Sequence, residues 1–337
     1  MKKNILLTCF GSNIFYEVFM DFQKREDIEL FVSDVNPKSK ARFLTDNFIT
    51  VLRHGDKNFS ADLLQKAKAH NITLIIPGGD EEALALMQGK KMFDEAGIIV
   101  AVQDPDLLKL FESKTNMYDF LKTKGFPVPL YKRFRTKEEF NKVLKELGYP
   151  QKSFLIKPNS DRGGRGITIL SERPIANKDN LALMDQNLFT HLIDGKKDFL
   201  IMEYIDGIVY DIDVLQYKNG QNYFGIRKRF TNVTKLFSGN IFENNNKSIL
   251  DFTKKLYKAL PTKYLIDYDF MVTEKGEISL LEINPRPSGS TISYLPFGVN
   301  LYYILAKSYL DNKNIEVPDS LDGNHAVTFY KMIEGKR

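Results

Sequence analysis

Asp269-Phe270-Met271-Val272-Thr273-Glu274-Lys275-Gly276-Glu277-Ile278-Ser279-Leu280-Leu281-Glu282-Ile283-Asn284 reads as two short strands around a tight turn. The turn falls at Lys275-Gly276, where glycine supplies the positive φ that such turns need. Pairing residues whose numbers sum to 551 sets 274 against 277, 271 against 280 and 269 against 282. Asp269 is therefore expected opposite Glu282, with Cβ atoms about 5 Å apart. Asn284 shares the face of Glu282, because side chains alternate along a strand. Two carboxylates this close repel strongly. A hard divalent cation removes that cost, since Mg²⁺ takes oxygen ligands from carboxylates and phosphates. The expected metal ligands are Asp269, Glu282 and Asn284, with Mn²⁺ as the alternative ion. Met271 and Leu280 are expected on the same face, an apolar floor suited to an adenine ring. The plain alternative is an exposed acidic edge.

Working upstream, Phe154-Leu155-Ile156-Lys157-Pro158 is a strand that delivers a lysine to the loop Ser160–Gly166. That loop carries Gly163, Gly164 and Gly166 with Arg162 and Arg165, and bare glycines let backbone N–H groups approach phosphate oxygens. No Gly-Lys-Ser/Thr closes it, and a strand follows it, so it matches neither the nucleotide-kinase loop nor the dinucleotide fingerprint. Lys114 opens a helix, where dipole and ammonium together favour an anion. Arg227 and Arg229 share one strand face and could clamp a phosphate or a substrate carboxylate; a charged outer face is the competing reading. His54, His70, His191 and His325 show no ligand spacing.

The first hundred residues alternate apolar runs (Ile5–Phe10, Ile28–Asp34, Leu74–Pro77, Ile98–Val102) with helical patterns, which predicts an α/β parallel-sheet domain. Ligands gather at the carboxyl ends of such strands, where Gly11, Asp34 and Asp80 fall. Asp34, Asp80, Glu81 and Glu82 could meet an amino group there, or simply be solvated acids at a helix start. From about residue 109 helices mix with antiparallel strands, an α+β pattern. The expected division is 1–108 and 109–337, the latter split near 200 into a smaller part with the glycine loop and a larger part with the hairpin. A net charge of +5 over 337 residues, with no dense basic block, suits anionic small molecules and argues against nucleic acid. Cys9 is the only cysteine, which excludes an internal disulfide and is expected to be a buried strand residue. No run approaches a membrane span or a secretory signal, so the expected compartment is the cytoplasm.

In order along the chain, these features resemble the ATP-grasp superfamily, and in particular single-unit relatives of the carbamoyl-phosphate synthase large chain and the ligase of pyrrolysine biosynthesis. The residues that carry the likeness are Pro77-Gly78-Gly79-Asp80-Glu81-Glu82, Ser113-Lys114, Gly125-Phe126-Pro127-Val128-Pro129, Ile156-Lys157-Pro158 and Gly163-Gly164-Arg165-Gly166. Downstream come Met202-Glu203-Tyr204-Ile205-Asp206-Gly207, Asp269 and Leu281-Glu282-Ile283-Asn284-Pro285-Arg286-Pro287-Ser288-Gly289-Ser290. The resemblance implies a pre-ATP-grasp domain followed by an ATP-grasp domain of two subdomains. It implies that Lys114 and Lys157 contact ATP phosphates under the glycine loop. Glu203, Tyr204 and Ile205 would form the adenine hinge through backbone groups. Arg286 and Ser288, Gly289 and Ser290 would meet the acyl substrate. Many relatives carry a ribose-binding glutamate where this chain has Val209, and Asp211 on the same face is its candidate substitute.

The implied chemistry is ATP-dependent joining of a small-molecule carboxylate to an amine, with release of ADP and phosphate. A kinase or synthase of the same fold, or a nucleotide-binding module without turnover, are the alternatives. Homodimerisation is allowed for, and neither a membrane nor a nucleic acid is expected as partner.

Overall fold

The computed structural model describes residues 2–11, 15–111, 113–159, 166–172, 182–229 and 239–328. Three sheets organise them. The first is parallel, with strands in the spatial order Phe48–Thr50, Ile28–Asp34, Lys3–Leu7, Ile72–Ile76, Ile99–Val100. Its strands are buried on both faces, which is why they read as continuous apolar runs and not as alternation. On one face Leu6, Phe31 and Ile75 pack against helices Phe59–Ala69 and Asp80–Gln88. On the other, Ile5, Leu30 and Leu74 share a core with Phe15 and Phe19 and with Leu301, Ile304 and Leu305. The last of these lie on helix Leu301–Asp311, so the chain's late helix covers its first sheet. Lys3 and Lys307 both pair with Asp311, and Lys307 Nζ lies 2.6 Å from Asp27. The 1–108 region is thus packed with residues from the far end of the chain.

The second sheet orders Tyr131–Phe134, Phe199–Glu203, Phe154–Pro158, Thr168–Leu170 and Ala182–Met184, antiparallel except for its final pair. Helix Lys137–Leu147 covers it, opened by a capping box between Thr136 and Glu139. Phe134, Phe140, Phe189 and Phe199 interlock beneath. Strand Phe199–Glu203 straddles the division expected near 200. Alternation announces a strand but not the sheet it joins.

The third sheet is antiparallel, in the order Ile278–Asn284, Leu265–Val272, Ile208–Gln216, Asn222–Arg229, Gly239–Phe242, His325–Val327. Its core face joins helices Lys114–Thr123 and Lys247–Ala259 through Met117, Tyr118, Ile249, Leu256, Tyr268 and Phe270. No helix among the described residues is long and apolar enough to cross a membrane.

Cys9 departs from expectation. It lies past the end of its strand, exposed, with a left-handed φ of 56°. The chain turns there because Thr8 N bonds Ile76 O on one neighbouring strand and Phe10 N bonds Ser33 O on the other. Gly78 closes against this turn: a Cβ on it would stand 2.2 Å from Thr8 O. Gly78→Ala should therefore destabilise the protein by about 1–3 kcal/mol. Gly55→Ala, which meets nothing within 4 Å, should leave the unfolding midpoint unchanged. Equal midpoints for the two variants in thermal denaturation would contradict this arrangement of strand ends.

Candidate active site

The turn signal in the hairpin holds: Gly276 takes φ 80°, and Thr273 and Glu277 close the loop. Asp269 lies opposite Glu282, as the pairing rule requires, and Asp267 opposite Asn284. Beyond that the rule fails. A bulge between Asp269 and Phe270 shifts the register, so Phe270 faces Leu280 and Met271 faces Ser279. The shift turns Leu280 into the core with Phe270, Tyr268 and Ile283, fully buried, so the joint floor expected from Met271 and Leu280 does not form. Tyr118 pins the bulge by donating from its hydroxyl to Leu281 O at 2.6 Å.

Two lysines converge on the acids. Ser113 caps helix Lys114–Thr123, accepting from Asn116 N, and this cap aims Lys114 Nζ at Glu282 Oε1, 3.1 Å away. Asn159 ties the neighbouring strand to the same cap: its Nδ2 donates to Ser113 Oγ at 3.2 Å and its Oδ1 accepts from Thr115 N at 3.4 Å. Lys157, two residues earlier, is buried. Burial lowers its ammonium to about 8, helped by Lys114 and opposed by Glu282 and Asp269. Both lysines lie where a phosphate beside Glu282 would find them.

On strand Asn222–Arg229, Arg229 pairs with Asp211, and its Nη2 reaches across the intervening strand to lie 3.3 Å from Asp269 Oδ1. Burial lifts Asp269 to about 7, with Asp211 and Glu282 adding to it against the pull of Arg229. Burial raises Asp267 well above its ordinary value, reinforced by Asp269, Asp211 and Asp213. Its Oδ1 is buried without a hydrogen-bond partner, while its Oδ2 accepts from Asn284 Nδ2 at 3.0 Å. Carboxylate oxygens of Asp211, Asp267 and Asp269 come within 4.8 Å of one another. An orphaned buried carboxylate oxygen among crowded acids, with Glu282 across the ladder, fits a hard divalent cation. Asp267 escaped the sequence reading, though the period of two places it on the face of Asp269.

Two expected ligand contacts are corrected. Arg227 is fully buried and meets no open space. Its Nε donates to Asp213 Oδ2 at 2.6 Å and its Nη1 to Ser290 Oγ at 2.6 Å and Ser290 O at 3.0 Å. Arg227 and Arg229 do share a face, but the 3₁₀ segment Gly289–Phe297 roofs the first and leaves the second 35% exposed. Asp211, the candidate ribose ligand, is also fully buried. Burial pushes its carboxyl up, but Arg229 and Arg227 pull it further the other way, to about 2. It is the hub between the two arginines and also accepts from Ser290 Oγ at 3.0 Å.

Ser288 and Ser290 are buried and bonded to each other. Arg286 Nε lies 3.3 Å from Asp80 Oδ1, which joins the hairpin's exit to helix Asp80–Gln88, the helix after strand Ile72–Ile76 of the parallel sheet. At the expected hinge, Glu203 N bonds Leu130 O, its carboxylate accepts from Leu130 N, and Tyr204 N bonds Ser153 O. These bonds fix the backbone between two sheets. Gly163, Gly164 and Arg165 lie outside the described residues; Gly166 takes φ 71° against Pro158.

Residues 195–329 match a family model described as ATP-grasp in the biosynthetic pathway with Ter operon, and residues 5–101 match a PylC-like N-terminal domain. The carbamoyl phosphate synthase large chain of Clostridium beijerinckii is 26% identical over 244 residues, covering 69% of this chain and 21% of its own length. The C-terminal section of that enzyme from Aquifex aeolicus is 24% identical over 256 residues, covering 73% and 44%. This chain thus spans about a fifth of the full-length clostridial relative. Among solved structures, N5-carboxyaminoimidazole ribonucleotide synthetase from Thermotoga maritima aligns with a TM-score of 0.62 at 18% identity, over 92% of this chain and 76% of the other. The biotin carboxylase domain of Hydrogenobacter thermophilus 2-oxoglutarate carboxylase, solved with MgADP and bicarbonate, aligns with a TM-score of 0.67 at 17% identity, over 96% and 72%.

The two arginines should separate on substitution. Arg227→Met leaves Asp213 buried without its partner and should cost about 3–5 kcal/mol of stability. Arg229→Met, at the open edge, should cost about 1–2 kcal/mol. Urea denaturation measures both. A smaller loss for Arg227→Met than for Arg229→Met would contradict the buried-hub assignment.

Proposed function

We propose that the chain is an ATP-grasp enzyme that uses ATP to activate a carboxylate as an acyl phosphate, which a nucleophile, most simply an amine, then captures. The observation that carries this reading is the convergence of Lys114 and Lys157 on the facing pair Asp269 and Glu282. Cations for phosphate oxygens and a divalent-cation cradle in one place are what transfer of a γ-phosphoryl group requires. The relatives' name supports it, since carbamoyl phosphate is itself an acyl phosphate.

Asp269, Glu282 and the Asn284 amide oxygen would hold Mg²⁺, with Asp267 as a further donor on the same face. When bound, the ion neutralises phosphate charge. Lys114 and Lys157 bind and orient the triphosphate. The Glu203–Ile205 backbone presents its peptide edge to the base. A substrate carboxylate oxygen attacks the γ-phosphorus, and the bond to the β-bridging oxygen breaks, releasing ADP. The nucleophile then adds at the acyl carbon and expels inorganic phosphate, losing its proton. Arg286 and Arg229 flank the hairpin acids and would steady the negative charge of the substrate carboxylate and of the transferring group. No protein nucleophile enters this scheme.

Glu282→Gln should abolish ATP turnover, a loss of about a thousandfold or more, while leaving the melting temperature close to the parent's. Lys157→Ala should weaken ATP far more than adenosine, because the lysine meets phosphate and not base. ADP release with a panel of carboxylates and amines tests the first, and calorimetry the second. Near-parental turnover by Glu282→Gln would sink the metal assignment.

A further inference from the structure

One rung of the third sheet is charged from end to end. Asp211 lies opposite Asp269 on one neighbouring strand and opposite Arg227 on the other, and Asp269 lies opposite Glu282. Across four strands the order is Glu282, Asp269, Asp211, Arg227. Residues that oppose each other across a ladder share a face of the sheet, and Arg229, two residues past Arg227, shares it too. Asp211 takes no part in the proposed chemistry.

Arg229 is divided between two of these acids. Its Nη2 donates to Asp211 Oδ1 and, at 3.3 Å, to Asp269 Oδ1. The two acceptors are not equivalent. Asp269 is 17% exposed and faces Glu282, so an arriving cation competes with the arginine for it. Asp211 is fully buried, and both its oxygens are engaged. Oδ1 accepts from Arg229, and Oδ2 accepts from Ser290 Oγ at 3.0 Å with Arg227 Nη1 3.6 Å away. Ser290 is itself fixed, since its Oγ accepts from Arg227 Nη1 at 2.6 Å and lies 2.8 Å from Ser288 Oγ. The Asp211 carboxylate is therefore held in one orientation, with Oδ1 turned to Arg229.

Carboxylate oxygens of Asp211, Asp267 and Asp269 lie within 4.8 Å of one another, which invites a reading of Asp211 as a metal ligand. Its saturated oxygens argue otherwise, because a buried carboxylate between two guanidinium groups has its charge already met. What it supplies is a fixed anchor for Arg229. The other cations at this place have attachments of their own. Lys114 meets Glu282, and Arg286, which also acts by charge on Asp269 and Glu282, pairs with Asp80. Lys157 is buried and acts by charge on the same two acids.

We propose that Asp211 is a positioning residue for the ligase reaction: it retains Arg229 when a divalent cation takes Asp269, so that the guanidinium stays beside the cation and faces the anions that arrive with it. The role rests on the reading of Asp269 and Glu282 as a cation site. With Asp211 in place, the arginine divides its charge between two acids and yields one of them. Without it, Asp269 is left as the arginine's partner, and the cation must displace a whole salt bridge.

Calorimetry on the whole chain tests this, with ADP titrated in the absence and in the presence of Mn²⁺. The readout is the factor by which Mn²⁺ tightens ADP, in which contacts to the base cancel. Asp211→Asn keeps the shape, removes the charge that anchors Arg229, and should lower that factor about fivefold or more. Arg229→Met removes the competing cation and should raise it. The double variant should match Arg229→Met, because Asp211 acts through the arginine. Ser290→Ala frees Asp211 Oδ2 without removing a charge, and serves if Asp211→Asn does not fold. It should lower the factor about threefold, and should have no effect in the Arg229→Met background. A merely structural role for Asp211 would not make its effect depend on Arg229. Equal losses in both backgrounds, or no loss in either, overturn the positioning role and leave the cation site standing. If Mn²⁺ does not tighten ADP in the parent protein, the cation site and the role of Asp211 fall together.

Discussion

Everything in the site follows from setting Asp269 across the ladder from Glu282. Two acids at that spacing do not stay ionised side by side without compensation. The chain supplies some of it, with Lys114 on Glu282 and Arg229 on Asp269, and stops short. Asp269 still rises to about 7, and Asp267 keeps a buried oxygen without a partner. The proposed magnesium site depends on that shortfall, because a site fully neutralised by its own cations would have nothing to offer the ion.

Holding that geometry takes two sheets and helix Lys114–Thr123. Tyr118 fixes the bulge that ends the regular pairing just past Asp269, and it lies on the same helix as Lys114. Asn159 ties the cap of that helix to the strand that carries Lys157. Arg227 holds Asp213, Ser290 and, through its charge, Asp211, so the roof over the third sheet and the part-exposed Arg229 are tied into one network. A fully buried arginine is costly to desolvate, and breaking its pairs would cost more than making them gained. It fixes one arrangement of the strands on which the acids stand.

The sequence made legible what depends on local rules. Apolar runs marked the strands, the Gly276 turn set Asp269 against Glu282, and the order of motifs identified the fold. What stayed hidden depends on distant chain. The bulge that sends Leu280 into the core leaves no mark in composition, because one extra residue on a strand reads like any other. Arg227 and Arg229 look equivalent until the segment Gly289–Phe297, some sixty residues on, covers only one of them. Cys9 lies in an apolar run and yet outside its strand, because two neighbouring strands take its flanking N–H groups. Asp267 was within reach of the same alternation that found Asp269. Tyr118 and Asn159 act through contacts between sheets, which periodicity does not record.

These acids are left short of positive charge, as the proposed cation site requires. Burial and neighbouring carboxylates hold Asp269 near 7, above its value in the unfolded chain. In the metal-free protein its protonated form is therefore favoured, and the stability it contributes is present at low pH and is lost as pH rises toward 7. A divalent cation must displace that proton. Calorimetric titration of the protein with Mg²⁺ and a non-hydrolysable ATP analogue, in buffers of different ionisation enthalpy, reads this directly. Proton release at pH 6 and tighter binding at pH 8 than at pH 6 are the predicted results. Binding without proton release at pH 6, and with the same affinity at both pH values, would contradict the account.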